Sequence, residues 1–278
     1  MLSIALAVTA RADRTPVKPG VNMFSAEQDV RLGQKYSREV ARKLSLCEDP
    51  RIDDYLDALG KKLAAKAPGP KYAYQFKCVN DNAINAFALP GGFIYINRGT
   101  IEAADNEAQL AGVIAHEIAH VALRHSTNQI TKQQIFVMPL GLLGGIMGNS
   151  AFGSLLTELG TSTALPVVFL KFSRTAESQA DIVGAQILYD STYDPRALAQ
   201  FFEKLEEENK KERIRFLHDH PNPANRIERI QEEVQRLGGP PENYKSDSRE
   251  FDQVRLMAHD LPQPSPSKKL DAPKNQQN

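Results

Sequence analysis

The run His116-Glu117-Ile118-Ala119-His120 sets two imidazoles four positions apart with a carboxylate between them. In a helix that spacing is about one turn, so both rings share a face and can converge on one cation. Neutral imidazole nitrogen suits Zn2+, and a catalytic zinc takes three protein ligands and leaves a fourth position for water. Glu117, beside that face, is placed to accept a proton from such a water. The bland alternative is a pair of core-edge histidines. Leu110, Val113, Ile114 and Val121 mark the helix as buried, and a buried histidine pair without partners carries a desolvation cost.

The third ligand decides the subclass. A three-histidine site would need Gly at 123 and His at 126, where the chain has Leu123 and Ser126. His125, five residues after His120, projects from a different face of a continuous helix. Neither Cys47 nor Cys78 has the Gly-Cys context of a cysteine-ligated hydrolase. Glu177-Ser178-Gln179-Ala180-Asp181 instead offers two carboxylates four apart on a second helix. Glu177 can bind the metal while Asp181 accepts the outer N–H of a ligating histidine. A solvated acidic face is the usual fate of such residues, but Ile182, Val183, Ile187 and Leu188 leave that helix little exposed surface. Glu158 is the rival ligand, without an acidic partner one turn on.

The elements that must hold these groups follow from periodicity. Ser25-Ala26-Glu27-Gln28 reads as a capping box opening a first helix, and a second runs from Pro50 to Ala67. Tyr72, Tyr74, Phe76 and Cys78 alternate with other residues as in a half-buried strand, and Asn85 to Leu89, the turn Pro90-Gly91-Gly92 and Phe93 to Ile96 read as a hairpin. The metal-bearing helix starts after Asp105 as N-cap and runs to about Arg124. Helix resumes from Thr175 to Tyr189, again after Asp194-Pro195, and again after Asn222-Pro223, ending at Gly238-Gly239. Between Gln133 and Leu170 the only charge is Glu158, and glycines interrupt an apolar run. Residues 135–156 are expected to form a lid or interfacial segment over the cleft, against a buried hairpin or a membrane span.

The 278 residues allow one catalytic domain with flexible ends. Thirty-four basic and 34 acidic residues cancel, so no basic field invites nucleic acid. Two cysteines are too few for a disulfide scaffold. Residues 1–23 are expected to be a truncated signal-like or disordered N-terminus: Ala10-Arg11-Ala12 has the form of a cleavage site, without a charged n-region before it. Residues 238–278 read as a mostly disordered tail in which Phe251, Val254 and Leu256 could dock.

Four ordered runs, Asn85 to Gly92, Asp105 to His120, Ala176 to Asp181, and His220-Pro221 through Arg226-Ile227, together resemble the HtpX, BepA, Oma and CAAX-prenyl-protease family of zinc metallopeptidases. The resemblance covers residues 24–237 and is closest to the BepA-like periplasmic branch, without the tetratricopeptide region such proteins can carry. It implies a gluzincin: an α+β, mostly helical domain with a small sheet whose edge strand borders the cleft. It further implies that Asn85, Ala86, Phe87 and Ala88 form the edge on which an extended substrate lies. His220 is implied to sit near the metal, stabilising the oxyanion or occupying the open position, and Arg226 to support that loop or the acidic pair. Expected ligands are thus His116, His120 and Glu177 around one Zn2+, with Glu117 and His220 catalytic and Asp181 and Arg226 behind them. Expected partners are protein or peptide substrates, with membrane contact left open and export from the cytoplasm favoured. The competing class is a metal-stabilised chaperone or assembly factor with latent peptidase activity.

Overall fold

A computed structural model describes residues 13–137, 171–207, 214–221 and 225–263. Most of the glycine-rich apolar stretch, with Glu158, lies outside the described residues, as do the signal-like residues 1–12 and the Asn222-Pro223 pair.

The chain enters helix α1 (Ala26–Lys43) through the capping box the sequence spells out. Ser25 Oγ accepts from the Gln28 amide, and Gln28 Oε1 accepts from the Ser25 amide. Helix α2 (Pro50–Ala64) starts with proline at its first position behind the Asp49 cap. Strands β1 (Gln75–Val79), β2 (Ala86–Leu89) and β3 (Phe93–Asn97) form a mixed sheet in the order β1-β3-β2. β1 runs parallel to β3, and β2 returns antiparallel through the three-residue turn 90–92.

Alternation along these strands sends side chains to two different cores. Phe87, Leu89, Phe93 and Tyr95 pack with Leu32, Tyr36 and Val40 of α1. Ala86, Ala88, Ile94 and Ile96 face the main core. Both faces are covered, so β2 and β3 are buried throughout and only β1 shows half-burial. The turn is pressed against α1: Gly91 has φ +77°, and a Cβ there would lie 2.5 Å from Val30 Cα, so both space and backbone demand glycine. Cys47 and Cys78 form a disulfide with Cα atoms 5.3 Å apart, tying the segment after α1 to β1.

After α3 (Arg98–Ala103) comes α4 (Glu107–Ala122), whose sixteen residues are all buried; a helix apolar on every side must be surrounded. Its cap is Asn106, which accepts from the Gln109 amide, one residue beyond the expected Asp105. Helices α5 (His125–Val137), α6 (Arg174–Asp190), α7 (Ala197–Glu207), α8 (Phe216–Asp219), α9 (Arg226–Arg236) and α10 (Arg249–Asp260) follow among the described residues. α6 lies closely along α4: a Cβ on Gly184 would come within 3.3 Å of the His116 amide nitrogen.

Described residues at both ends make contact with the body. Within the tail expected to be mostly disordered, residues 249–260 form α10, which buries Phe251, Val254 and Ala258 while Leu256 stays exposed. Residues 13–23 also engage the body: the Asp13 amide donates to Arg236 O, and Thr15 O accepts from Gln186 Nε2.

Candidate active site

Helix α4 turns His116 and His120 toward one point, and α6 brings Glu177 to it from the neighbouring helix. His116 Nε2 lies 3.0 Å from His120 Nε2 and 3.3 Å from Glu177 Oε2, and His120 Nε2 lies 3.5 Å from Glu177 Oε1. His220, just after α8, adds Nδ1 at 3.3 Å from His116 Nε2 and 3.2 Å from Glu177 Oε1. The four residues are buried, with one ligand atom from each lying within 4.8 Å of the others. Zinc bonds of about 2.0–2.1 Å at tetrahedral angles put ligand atoms about 3.3 Å apart. The donor set and its spacing therefore fit a divalent ion bound by nitrogen and carboxylate.

The remaining predicted residues surround this point. Glu117 is fully buried, with His220 Nε2 at 3.3 Å from its Oε1, and neither carboxylate oxygen has a hydrogen-bond partner among the described residues. Asp181 Oδ1 lies 3.0 Å from His116 Nδ1, the nitrogen turned away from the cluster. Arg226, 2% exposed, spans both acids: its Nε and Nη2 donate to Asp181 at 2.8 and 2.9 Å, and Nη2 donates to Glu177 Oε2 at 3.0 Å. The guanidinium sits 3.8 Å over the Phe202 ring. Asn85 precedes β2 and donates from Nδ2 to Asp219, while Phe216 N donates to Ile84 O, docking the His220 segment at the start of β2. Ala86, Phe87 and Ala88 lie in the marginal strand β2 and are buried.

Burial opposes charge on every group here. It works against His116, but Asp181 and Glu177 outweigh it and hold the imidazole up at about 9. Burial raises the Glu117 carboxyl, with His220 and His116 opposing it. It would raise Glu177 too, but His220, His120 and His116 together hold that acid well below its ordinary range. His120 is pushed far down by burial, and His125 down to about 4. His220 rises against its burial because Glu177 and Glu117 face it.

One participant is missing from the sequence reading. His125 is buried, with Nδ1 2.9 Å from His120 Nδ1. The assumption of a continuous helix fails: α4 ends at Ala122, and Arg124 takes φ +58°, a left-handed conformation uncommon outside glycine. The chain turns there and brings His125 back to His120. No residue type at 123–124 signals that turn. His218 is 72% exposed at its side chain and stands outside the cluster.

A buried His/Glu cluster that could hold a metal ion, shared by two helices with a buried carboxylate beside it in an α+β domain, has the make-up of a metalloprotease site. The chain belongs to peptidase family M48, whose model matches residues 50–234. It is 31% identical over 238 residues to the beta-barrel assembly-enhancing protease of Escherichia coli (strain K12), covering 81% of this chain and 49% of that protein. The enzyme of that name in Yersinia pestis is 32% identical over 211 residues, covering 73% of this chain and 43% of that one. The mitochondrial metalloendopeptidase OMA1 of Schizosaccharomyces pombe is 27% identical over 181 residues, 64% of this chain and 52% of the other. The chain spans about half the length of these relatives. Among the described residues no helix is long and apolar enough to cross a membrane.

Proposed function

We propose that this domain is a zinc-dependent endopeptidase in which His116, His120 and Glu177 hold the metal and Glu117 is the general base. The observation that carries this is a buried cluster of four donor residues, with one ligand atom from each within 4.8 Å of the others, beside the buried carboxylate of Glu117. Zinc bound there would acidify a water and polarise the scissile carbonyl. Glu117 takes the proton of the attacking water and delivers it to the leaving amine, a transfer favoured by a carboxyl already raised by burial. Asp181 fixes His116 with Nε2 toward the metal. Arg226 neutralises the acidic pair and holds α9 against α6. An extended substrate would add to β2 along Asn85 to Ala88, a mode that selects backbone over sequence, once the His220 segment docked there has shifted.

His220 favours a refinement of this reading. Its Nδ1 completes the donor set, and a site with four protein ligands is closed to water. The conformation described is then a latent one, and a role as a metal-stabilised assembly factor is the reading to test against it. The relatives named for β-barrel assembly suggest unfolded or membrane-associated protein substrates for this domain too. The Cys47–Cys78 disulfide supports an oxidising compartment such as the periplasm.

Metal analysis paired with casein cleavage tests the proposal. Wild type should carry one zinc per chain and cleave; Glu117→Gln should keep the zinc and lose cleavage, because the amide cannot take the proton. Equal cleavage by both would overturn the assignment of Glu117. Full biological complementation by Glu117→Gln would favour the assembly-factor reading.

A further inference from the structure

The two metal-facing histidines are held from behind by different chemistry. His116 has the carboxylate of Asp181. Behind His120 stands His125, and behind His125 stands Gln179: His125 Nδ1 is 2.9 Å from His120 Nδ1, and His125 Nε2 is 3.2 Å from Gln179 Oε1. We propose that His125 and Gln179 are positioning residues that fix the tautomer and the aim of His120 through an ordered chain of two hydrogen bonds. This rests on the metal-binding reading above and goes beyond it by assigning residues outside the donor set.

Each proton in the chain has a single consistent place. A neutral imidazole that offers its Nε2 lone pair to a cation must carry hydrogen on Nδ1. His120 Nδ1 then donates to His125 Nδ1, which must be bare, so His125 carries its hydrogen on Nε2. That N–H donates to the amide oxygen of Gln179, which can only accept. Starting from Gln179 gives the same order: an acceptor there requires His125 Nε2–H, a bare His125 Nδ1, and an N–H on His120 Nδ1. A donor in place of the Gln179 oxygen would reverse both bonds and put hydrogen on His120 Nε2, where no cation could bind. Gln179 lies two residues after Glu177 on α6, so the chain also ties α5 to the helix supplying the carboxylate ligand. Phe172 stacks on the His120 ring at 4.1 Å between centroids and 21° between planes, limiting rotation about the chain.

The experiment compares zinc dissociation constants, measured by competition with a chelator, for wild type and two pairs of full-chain variants. His125→Leu and Gln179→Leu remove acceptors and should weaken zinc binding by roughly 10- to 100-fold, the usual effect of losing a partner behind a ligand. His125→Asn can still present an oxygen to His120 Nδ1–H, and Gln179→Glu is an acceptor only, so each should bind zinc clearly tighter than its leucine counterpart. Nitrogen-15 NMR of histidine-labelled, zinc-loaded wild type should show His120 protonated at Nδ1 and His125 at Nε2. If His125→Leu does not fold, the Gln179 pair and the NMR assignment carry the test. Leucine variants with wild-type zinc affinity, or His125 protonated at Nδ1, would overturn the chain. Failure of wild type to bind zinc stoichiometrically would instead overturn the metal-site reading.

Discussion

His220 presents its two ring nitrogens to two different acids: Nδ1 lies 3.2 Å from Glu177 Oε1 and Nε2 lies 3.3 Å from Glu117 Oε1. One side chain thus bridges the proposed ligand and the proposed base, and it is 3% exposed while doing so.

Such a bridge competes with water for the fourth metal position and with the substrate for Glu117. His220→Ala should therefore hydrolyse a short peptide faster than wild type while keeping its zinc with reduced affinity. Loss of turnover with zinc retained would make His220 an oxyanion partner instead. Wild-type behaviour in both assays would leave it a packing residue.

The third ligand is open to a direct check. Glu177→Ala should lose metal and activity together, whereas Asp181→Asn should weaken metal binding by roughly 10- to 100-fold without abolishing it. Full zinc occupancy in Glu177→Ala would return the assignment to Glu158.

Most of this site was legible because its parts obey helical spacing over short distances. His116 to His120 and Glu177 to Asp181 are each one turn, and the apolar residues around them mark both helices as buried. His125 was not legible, since the left-handed backbone at Arg124 breaks the period that any helical reading extends. α10 was obscured differently. Its buried stripe Phe251, Val254 and Ala258 has helical spacing, but the polar tail around it averages the signal away. The burial of β2 and β3 on both faces depends on α1 folding over the sheet, a long-range contact that strand alternation cannot announce.

Arg226 is the stability counterpart of the site. It is the counter-charge to two buried carboxylates, and removing one partner of such an arrangement costs about 3–5 kcal/mol. Arg226→Met keeps much of the volume over Phe202 but strands Glu177 and Asp181. Its chelator-treated form should melt roughly 6–20 °C below wild type, with a smaller deficit when zinc is bound to Glu177. A variant that melts with wild type would show that the acids find another counter-charge.

The pH dependence of the chelator-treated protein follows from the same acids. His116 is held at about 9 against an ordinary 6.5. A histidine raised on folding contributes stability fully below the unfolded value and loses it as pH climbs through the folded one. His220 is also raised and pushes in the same direction. His120 and His125, lowered by burial, oppose this only near 6.5, where the unfolded imidazoles are still partly protonated, and add no slope toward pH 9. Glu177 is ionised in both states throughout that window and adds none either. The melting temperature of the chelated protein should therefore fall between pH 6.5 and 9. Zinc reverses the dependence at this site, because a ligand must shed its proton to bind and affinity grows as pH rises. Thermal melts at pH 6.5 and 9, with chelator and with stoichiometric zinc, should show the gap between the two forms widening toward pH 9. A chelated protein whose melting temperature is flat or rising over that window would mean that His116 is not held protonated by Asp181 and Glu177.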